Sequence, residues 1–178
     1  MVVDINGDSL TDFAISDTAN RVYVVYGATG SPGNLTLAAS SVDGSGLRGF
    51  AITINDIDGT AATSTQYGTR HRLAPIGDFN GDGLSDFIVG NSFGDNYAVT
   101  DAGKSYVIYG RTSGASFSLS GMEASDGFRI LGEFADDYSG WGVDGSGDVN
   151  RDGFSDLPVG APYAFTNGSN GGKTYGNA

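Results

Sequence analysis

The stretch "GDFNGDGLSD", residues 77–86, places carboxylate or amide side chains at alternate positions of a glycine-rich turn. Asp78, Asn80 and Asp82 stand at positions 1, 3 and 5 of a nine-residue loop, and Asp86 closes it at position 9. The apolar run "FIVG" follows at once, which predicts that the loop leads directly into a β-strand. Oxygen donors at this spacing can converge on one point, as a hard cation such as Ca²⁺ requires.

The loop is repeated twice more in the chain. Related stretches are "DINGDSLTDFAIS" from Asp4 and "DVNRDGFSDLPVG" from Asp148, so the offsets are 78 − 4 = 74 and 148 − 78 = 70 residues. Each loop is followed by an aromatic run that ends or approaches Tyr-Gly: "RVYVVYG", "KSYVIYG" and "GKTYG". A fixed period of this length indicates a stack of similar supersecondary units.

Each unit is predicted to hold four short strands. They are a Gly-Phe strand ("GFAI" at 49–52, "GFRI" at 127–130), one near Tyr-Gly or Trp-Gly, one after the acidic loop, and the aromatic strand. In the aromatic strand of the middle unit, Tyr106 and Ile108 share one face, while Val107 and Tyr109 share the other. Because both faces are apolar, this sheet is expected to lie between two others, as in a β-propeller.

Composition agrees with an all-β protein and excludes several classes of function. The net charge is −12, with 19 Asp and two Glu against nine Lys and Arg, so no basic surface is available for nucleic acid. Asp in such excess over Glu is typical of turns and of oxygen ligand sets. The chain has no cysteine and no long apolar run, and we expect neither disulfides nor a membrane span. Its first residues contain no signal peptide and enter a motif directly, as expected for an internal segment of a longer protein.

These motifs resemble the FG-GAP repeats of integrin alpha chains and their bacterial relatives. The resemblance is carried by "DFNGDGLSD", "DVNRDGFSD", "GAP" at 160–162 and "VIYG" at 107–110. It implies a seven-bladed propeller with calcium in the hairpin loops of some blades, used in adhesion or as a module of large extracellular proteins. It also implies an extracellular or cell-surface location.

The predicted calcium ligands are the side chains at positions 1, 3, 5 and 9 and the backbone carbonyl at position 7. The three sets, for up to three Ca²⁺ ions, are Asp78, Asn80, Asp82, Leu84 and Asp86; Asp148, Asn150, Asp152, Phe154 and Asp156; and Asp4, Asn6, Asp8, Leu10 and Asp12. An EF-hand is excluded because position 12, where it needs Glu, holds Ile15, Val89 and Val159. The alternative is that these aspartates only cap turns.

The repeats predict a division of the chain into three parts. Residues 1–27 form the C-terminal half of a blade, residues 28–110 a complete blade, and residues 111–178 a further blade truncated at its end. About two and a half blades cannot close a ring, since propellers have roughly four to eight. The chain is therefore expected to be a fragment, to self-associate into a ring, or to form an open stack of sheets.

The leading functional hypothesis is a non-catalytic, calcium-binding propeller segment that recognises a protein or glycan ligand. The alternative is an accessory propeller of a secreted hydrolase or lyase whose catalytic part lies elsewhere. Three single residues also receive predictions: His71 as a solvated loop residue, Trp141 as a core residue, and Pro158 as the mark of an edge or disturbed strand. Asp136 and Asp137 are assigned to a surface turn.

Overall fold

The computed structural model describes residues 2–30, 49–54, 71–145, 147–151, 155–166, 169–170 and 172–175. This part of the chain is all-β, with fourteen strands, one 3-10 turn at Leu119–Gly121 and no α-helix. The strands are β1 (Val2–Val3), β2 (Asp12–Ser16), β3 (Arg21–Val25), β4 (Gly49–Thr53), β5 (Arg72–Gly77), β6 (Asp86–Asn91), β7 (Lys104–Ile108), β8 (Phe117–Ser118), β9 (Gly127–Leu131), β10 (Gly142–Val143), β11 (Val159–Ala161), β12 (Phe165–Thr166), β13 (Ser169–Asn170) and β14 (Lys173–Tyr175). No helix within these ranges has the length and apolar character needed to cross a bilayer.

The strands form three main sheets that follow one another along the chain. The first sheet has the order β1-β2-β3-β4-β8, the second β5-β6-β7-β9, and the third β10-β11-β14, while β12 and β13 form a separate hairpin. All pairs are antiparallel except β4 with β8. The second sheet is a complete four-stranded antiparallel blade, and the fold class predicted from the sequence is confirmed.

The second sheet is packed on both faces, as the alternation in β7 predicts. Tyr106 and Ile108 lie in a core shared with Phe50 and Ile52 of the first sheet. Val107 lies in a second core with Val159 of the third sheet. All six side chains are fully buried. Apolar burial on both faces of one sheet is therefore the main force that stacks the three sheets.

The Gly-Phe strands belong to the preceding sheet rather than to the strands that follow them. β4 pairs with β3 and β9 pairs with β7, so the predicted grouping of these strands is wrong, and the sheets do not divide at Gly27 and Gly110. The local reason is visible at Gly127, whose φ is +140° and whose missing Cβ leaves room for the Val107 carbonyl. The sequence period is correct, but the sheets are shifted by one strand against it.

Pro158 lies just before β11 and does not place this strand at an edge. β11 is the central strand of the third sheet and pairs with β10 on one side and β14 on the other. The proline does coincide with a shorter strand, since β11 has three residues and its counterpart β6 has six. The expected edge position is wrong, while the expected disturbance is present.

The surface turn predicted for Asp136 and Asp137 holds for the first residue only. Asp136 is in an exposed turn with φ 63°, but Asp137 is buried.

Candidate metal-binding loops

The middle acidic loop connects β5 to β6 and brings three predicted ligand side chains together. Asp78 Oδ1 and Asn80 Oδ1 both accept the backbone N–H of Asp82, each at 3.0 Å. The Asn80 amide nitrogen also donates to Asp82 Oδ2 at 2.8 Å. The side chains at positions 1, 3 and 5 therefore converge on one side of the turn, as the sequence spacing predicts.

The first acidic loop, between β1 and β2, folds in nearly the same way. Asn6 Oδ1 accepts the Asp8 N–H at 3.0 Å, and the Asn6 amide nitrogen donates to Asp8 Oδ2 at 3.0 Å. Asp4 Oδ2 accepts the Ser9 N–H at 2.9 Å, just as Asp78 Oδ2 accepts the N–H at position 6 of the middle loop. Ser9 adopts φ 63°, the left-handed conformation that glycine takes in the middle loop.

The aspartate at position 9 has a structural role that sequence reasoning missed. Asp86 is fully buried; its Oδ2 accepts the Phe79 N–H at 2.8 Å, and its Oδ1 accepts the Gly110 N–H at 2.7 Å. A third, longer bond comes from the N–H of Asn80 at 3.3 Å. The carboxylate therefore ties the loop to the end of β7 and retains about one free lone-pair position for a cation.

The same tie explains the recurring Tyr-Gly at the end of the aromatic strands. Gly27 donates to Asp12 Oδ1 at 2.7 Å, as Gly110 does to its own aspartate. A Cβ on Gly110 would come within 2.6 Å of the Leu84 Cβ, so a larger residue would separate the loop from the strand. Tyr-Gly after each loop was the sequence signal that could have revealed this contact.

The third acidic loop is described in part. Asp156 accepts the N–H groups of Val149 at 2.6 Å and Asn150 at 3.3 Å, which repeats the bonds at position 9 of the other loops. Arg151 has φ 65° at a position where both other loops have glycine. The predicted ligands Asp152 and Phe154 lie outside the described residues.

The electrostatics of the loops favour a bound cation. Burial raises the pKa of Asp86, the backbone N–H groups oppose this rise, and the like charge of Asp82 adds to it. The pKa of Asp12 is raised by the same causes, with Asp8 as the like charge. The carboxylates at positions 5 and 9 therefore interact within each of these two loops, and a cation beside them would offset both the desolvation and the repulsion.

The donor set fits a hard cation, although carboxylates alone do not form a cluster. No group of three or more His, Cys, Asp or Glu side chains suited to a metal ion occurs in the described part of the chain. The middle loop instead combines the two exposed carboxylates of Asp78 and Asp82 with the side-chain oxygen of Asn80 and the backbone carbonyl of Leu84. Oxygen-only ligand sets of this mixed kind suit Ca²⁺.

Two other predictions are wrong. His71 is buried rather than solvated, and burial lowers its pKa to about 4, although Asp17 and the Gly90 backbone favour the charged form.

Trp141 is 43% exposed rather than part of the core. It joins Phe93, Tyr138 and Tyr163 in an aromatic cluster with ring centroids 5.3 to 6.2 Å apart. No sequence motif indicates this cluster, because its members come from three loops.

Comparison with known proteins agrees with the fold. Residues 73–108, which contain most of β5, the middle acidic loop, β6 and β7, match the FG-GAP repeat family. The chain is also similar to integrin alpha-V of Gallus gallus, with 33% identity over 96 residues that cover 54% of this chain. The matched region spans 8% of the length of that integrin. Residues 73–108 are therefore similar to an FG-GAP repeat, and about half of the chain is similar to a part of an integrin alpha chain.

Proposed function

We propose that this chain is a non-catalytic, calcium-binding segment of a β-propeller that acts at the cell surface or outside the cell, in adhesion or in recognition of a protein or glycan. The observation that carries the proposal is the agreement between two acidic loops 74 residues apart. In both, the residues at positions 3 and 5 are joined by the same two hydrogen bonds, one between their side chains and one from the backbone N–H at position 5 to the asparagine oxygen. The aspartate at position 9 accepts the N–H of the glycine that follows the aromatic strand.

In the middle loop, the calcium ligands would be the side-chain oxygens of Asp78, Asn80 and Asp82 and the carbonyl of Leu84. The Asp86 carboxylate would contribute its remaining lone-pair position to the ion. The bound ion would supply positive charge that neutralises neighbouring carboxylates, and each Ca²⁺ would offset two of the 12 net negative charges. Affinity in the millimolar range would suit the calcium concentration outside cells.

Isothermal titration with Ca²⁺, together with thermal unfolding in calcium and in EDTA, tests this proposal. Saturable binding is expected, with a gain in unfolding free energy of about 2.7 kcal/mol when free calcium is 100 times Kd. Asp82→Ala should weaken binding roughly tenfold or more, because it removes an exposed carboxylate from the ligand set. Glu123→Ala is the matched control, since Glu123 is an exposed carboxylate outside the loops.

The proposal fails if the chain gives no binding heat, or if Asp82→Ala and Glu123→Ala have equal calcium affinity. A lower melting temperature of Asp82→Ala without calcium, together with unchanged calcium affinity, would instead indicate that Asp82 acts only as a turn cap. Both measurements use the full 178-residue chain.

The recognition role is supported by exposed aromatic side chains at the end of the second sheet opposite its acidic loop. Tyr97 is 67% exposed and Phe134 is 52% exposed, each in a loop beyond the strand ends. Large exposed aromatics of this kind are typical of binding surfaces. Binding of the immobilised chain to glycan arrays and to cell-surface extracts should fall when Tyr97→Ala and Phe134→Ala are combined, with unchanged melting. Equal binding by this double variant would contradict a role for this end.

A further inference from the structure

The second and third sheets have the same strand register, so their positions can be compared one by one. Gly90 of β6 pairs with Arg72 and Ser105, and Gly160 of β11 pairs with Gly142 and Thr174. Gly160 is therefore the counterpart of Gly90. By the same register Thr174 corresponds to Ser105 and Lys173 to Lys104.

In the second sheet, this region is covered by the segment Tyr138–Trp141, called here the docking segment. The Tyr138 N–H donates to the Asp101 carbonyl at 3.2 Å, and the Ser139 N–H donates to the Ala102 carbonyl at 2.9 Å. Ser139 also forms a parallel bridge with Gly103. The contact is therefore made largely through backbone groups of residues 101–103, just before β7.

The covered site requires glycine on both sides of the contact. A Cβ on Gly90 would collide with the carbonyl oxygen of Gly140. A Cβ on Gly140 would come within 2.6 Å of the Lys104 carbonyl and 2.8 Å of Ser105 Oγ. The close approach of the docking segment thus depends on a glycine in the segment and a glycine in the sheet.

The counterpart site in the third sheet is uncovered by the described residues. An open groove of about 480 Å³ lies there, lined by Trp141, Pro162, Lys173, Thr174 and Gly160 among others. A Cβ on Gly160 would meet no atom nearer than 3.6 Å, and that atom belongs to Gly142 of the same sheet. The exposures differ accordingly: Ser105 is fully buried, whereas Thr174 is exposed.

The backbone around the groove also matches the covered site. Gly103 has φ +77° and Gly172, which precedes the counterpart lysine in the same way, has φ +69°. Lys104 is fully buried beneath the docking segment, while the Lys173 side chain is 29% exposed and reaches Glu133 at 3.0 Å. The third sheet thus repeats the shape of a site whose occupant in the second sheet is known.

We propose that this groove binds an extended peptide segment of the type aromatic-Ser-Gly-aromatic, supplied by a further sheet unit of the same kind. The proposed segment forms backbone hydrogen bonds beside Gly172, just before β14, and places its glycine over Gly160. A second copy of this chain is not the assigned occupant, because its own docking segment already covers its second sheet.

The test titrates the full chain into a fluorescein-labelled peptide with the sequence of residues 135–142, ADDYSGWG, and follows fluorescence anisotropy. Saturable binding is expected, with a Kd on the order of 1 mM or tighter. Gly160→Val should weaken it by roughly tenfold or more, because the added methyls fill the place of the peptide glycine. Gly121→Val is the matched control: Gly121 is exposed, and a Cβ there meets no atom within 4 Å.

A peptide in which the glycine that corresponds to Gly140 is replaced by valine supplies the second arm, and it should bind at least about tenfold more weakly to the wild-type chain. The proposal is overturned if no saturable binding occurs, if Gly160→Val binds as well as Gly121→Val, or if the valine peptide binds equally. Light scattering of the chain alone provides a further check. Self-association that Gly160→Val abolishes would assign the groove to a second copy and overturn the proposed occupant.

Discussion

The second and third sheets share a strand register, yet the described chain secures them to different extents. The second sheet is tied at one end by Asp86, which bonds the acidic loop to Gly110, and covered at the other end by the docking segment. In the third sheet, Asp156 accepts hydrogen bonds from its acidic loop in the same way. The surface that corresponds to the covered surface of the second sheet is an open groove. Equivalent positions in the two sheets are therefore expected to contribute differently to the free energy of unfolding, although their sequences are related.

The largest expected effect comes from breaking the tie at the loop end of the second sheet. Asp86→Ala would leave the N–H groups of Phe79, Asn80 and Gly110 without their acceptor, at a cost of about 1–3 kcal/mol for each one that stays buried. We expect a loss of about 4 kcal/mol in the free energy of unfolding, measured by urea denaturation in EDTA. Asp82→Ala is the control, because its exposed carboxylate should contribute less than about 1 kcal/mol without calcium. Equal losses would contradict the structural role of Asp86.

The other end of the second sheet is tested by matched glycine substitutions. Gly90→Ala forces a Cβ against the Gly140 carbonyl and within 3.0 Å of Val143 Cγ1, so the docking segment must move away. A loss of about 3 kcal/mol is expected. Gly160→Ala, its counterpart over the groove, should change stability by less than about 0.5 kcal/mol. Thermal unfolding of both variants measures these two changes in stability. Comparable losses of stability in Gly90→Ala and Gly160→Ala would show that the groove is not open.

A pH-dependent difference is expected at the residues that begin the two sheets. His71 precedes Arg72 as Trp141 precedes Gly142, but the histidine is buried and the tryptophan is exposed. Because the pKa of His71 falls from 6.5 to about 4 on folding, the unfolded chain binds a proton in this range that the folded chain does not. The stability contributed by neutral His71 is therefore complete above pH 6.5 and is lost as the pH falls towards 4.

The loss at pH 4 should reach up to about 3 kcal/mol relative to pH 7. His71→Phe removes the titrating group, so the difference in unfolding free energy between wild type and variant should narrow or reverse at low pH. Urea denaturation of both proteins at several pH values measures this difference and cancels the titration of the many aspartates. A pH-independent difference would mean that folding does not lower the pKa of His71.

The smallest effect is expected at position 4 of the acidic loops. Arg151 and Gly81 both have left-handed backbone, with φ 65° and 76°. Arg151→Gly should raise the free energy of unfolding by about 0.5–1 kcal/mol because it relieves strain, and Gly81→Ala should lower it by a similar amount. Chemical denaturation in EDTA distinguishes these shifts from metal effects. Destabilisation by Arg151→Gly would indicate that the arginine side chain makes a stabilising contact.

Local features of the fold could be read from the sequence because they depend on residues close together in the chain. The all-β class, the two apolar faces of β7 and the convergence of Asp78, Asn80 and Asp82 follow from side-chain alternation and short-range turn chemistry. Calcium in these loops is still a prediction, since spacing and donor chemistry support the ion without identifying it.

Other features were decided by the tertiary structure, since they depend on which distant segments meet. Whether β9 joins the sheet before it or after it cannot be read from a strand with suitable residues on both faces. The burial of His71 and the bond between Gly110 and Asp86, which are 24 residues apart in the chain, likewise depend on distant segments. The sequence by itself thus determines the repeated unit, its strands and its acidic loops. The tertiary structure decides how the units are offset and why, among the described residues, Gly90 is covered while Gly160 is open, because pairing and coverage depend on the spatial position of neighbouring sheets.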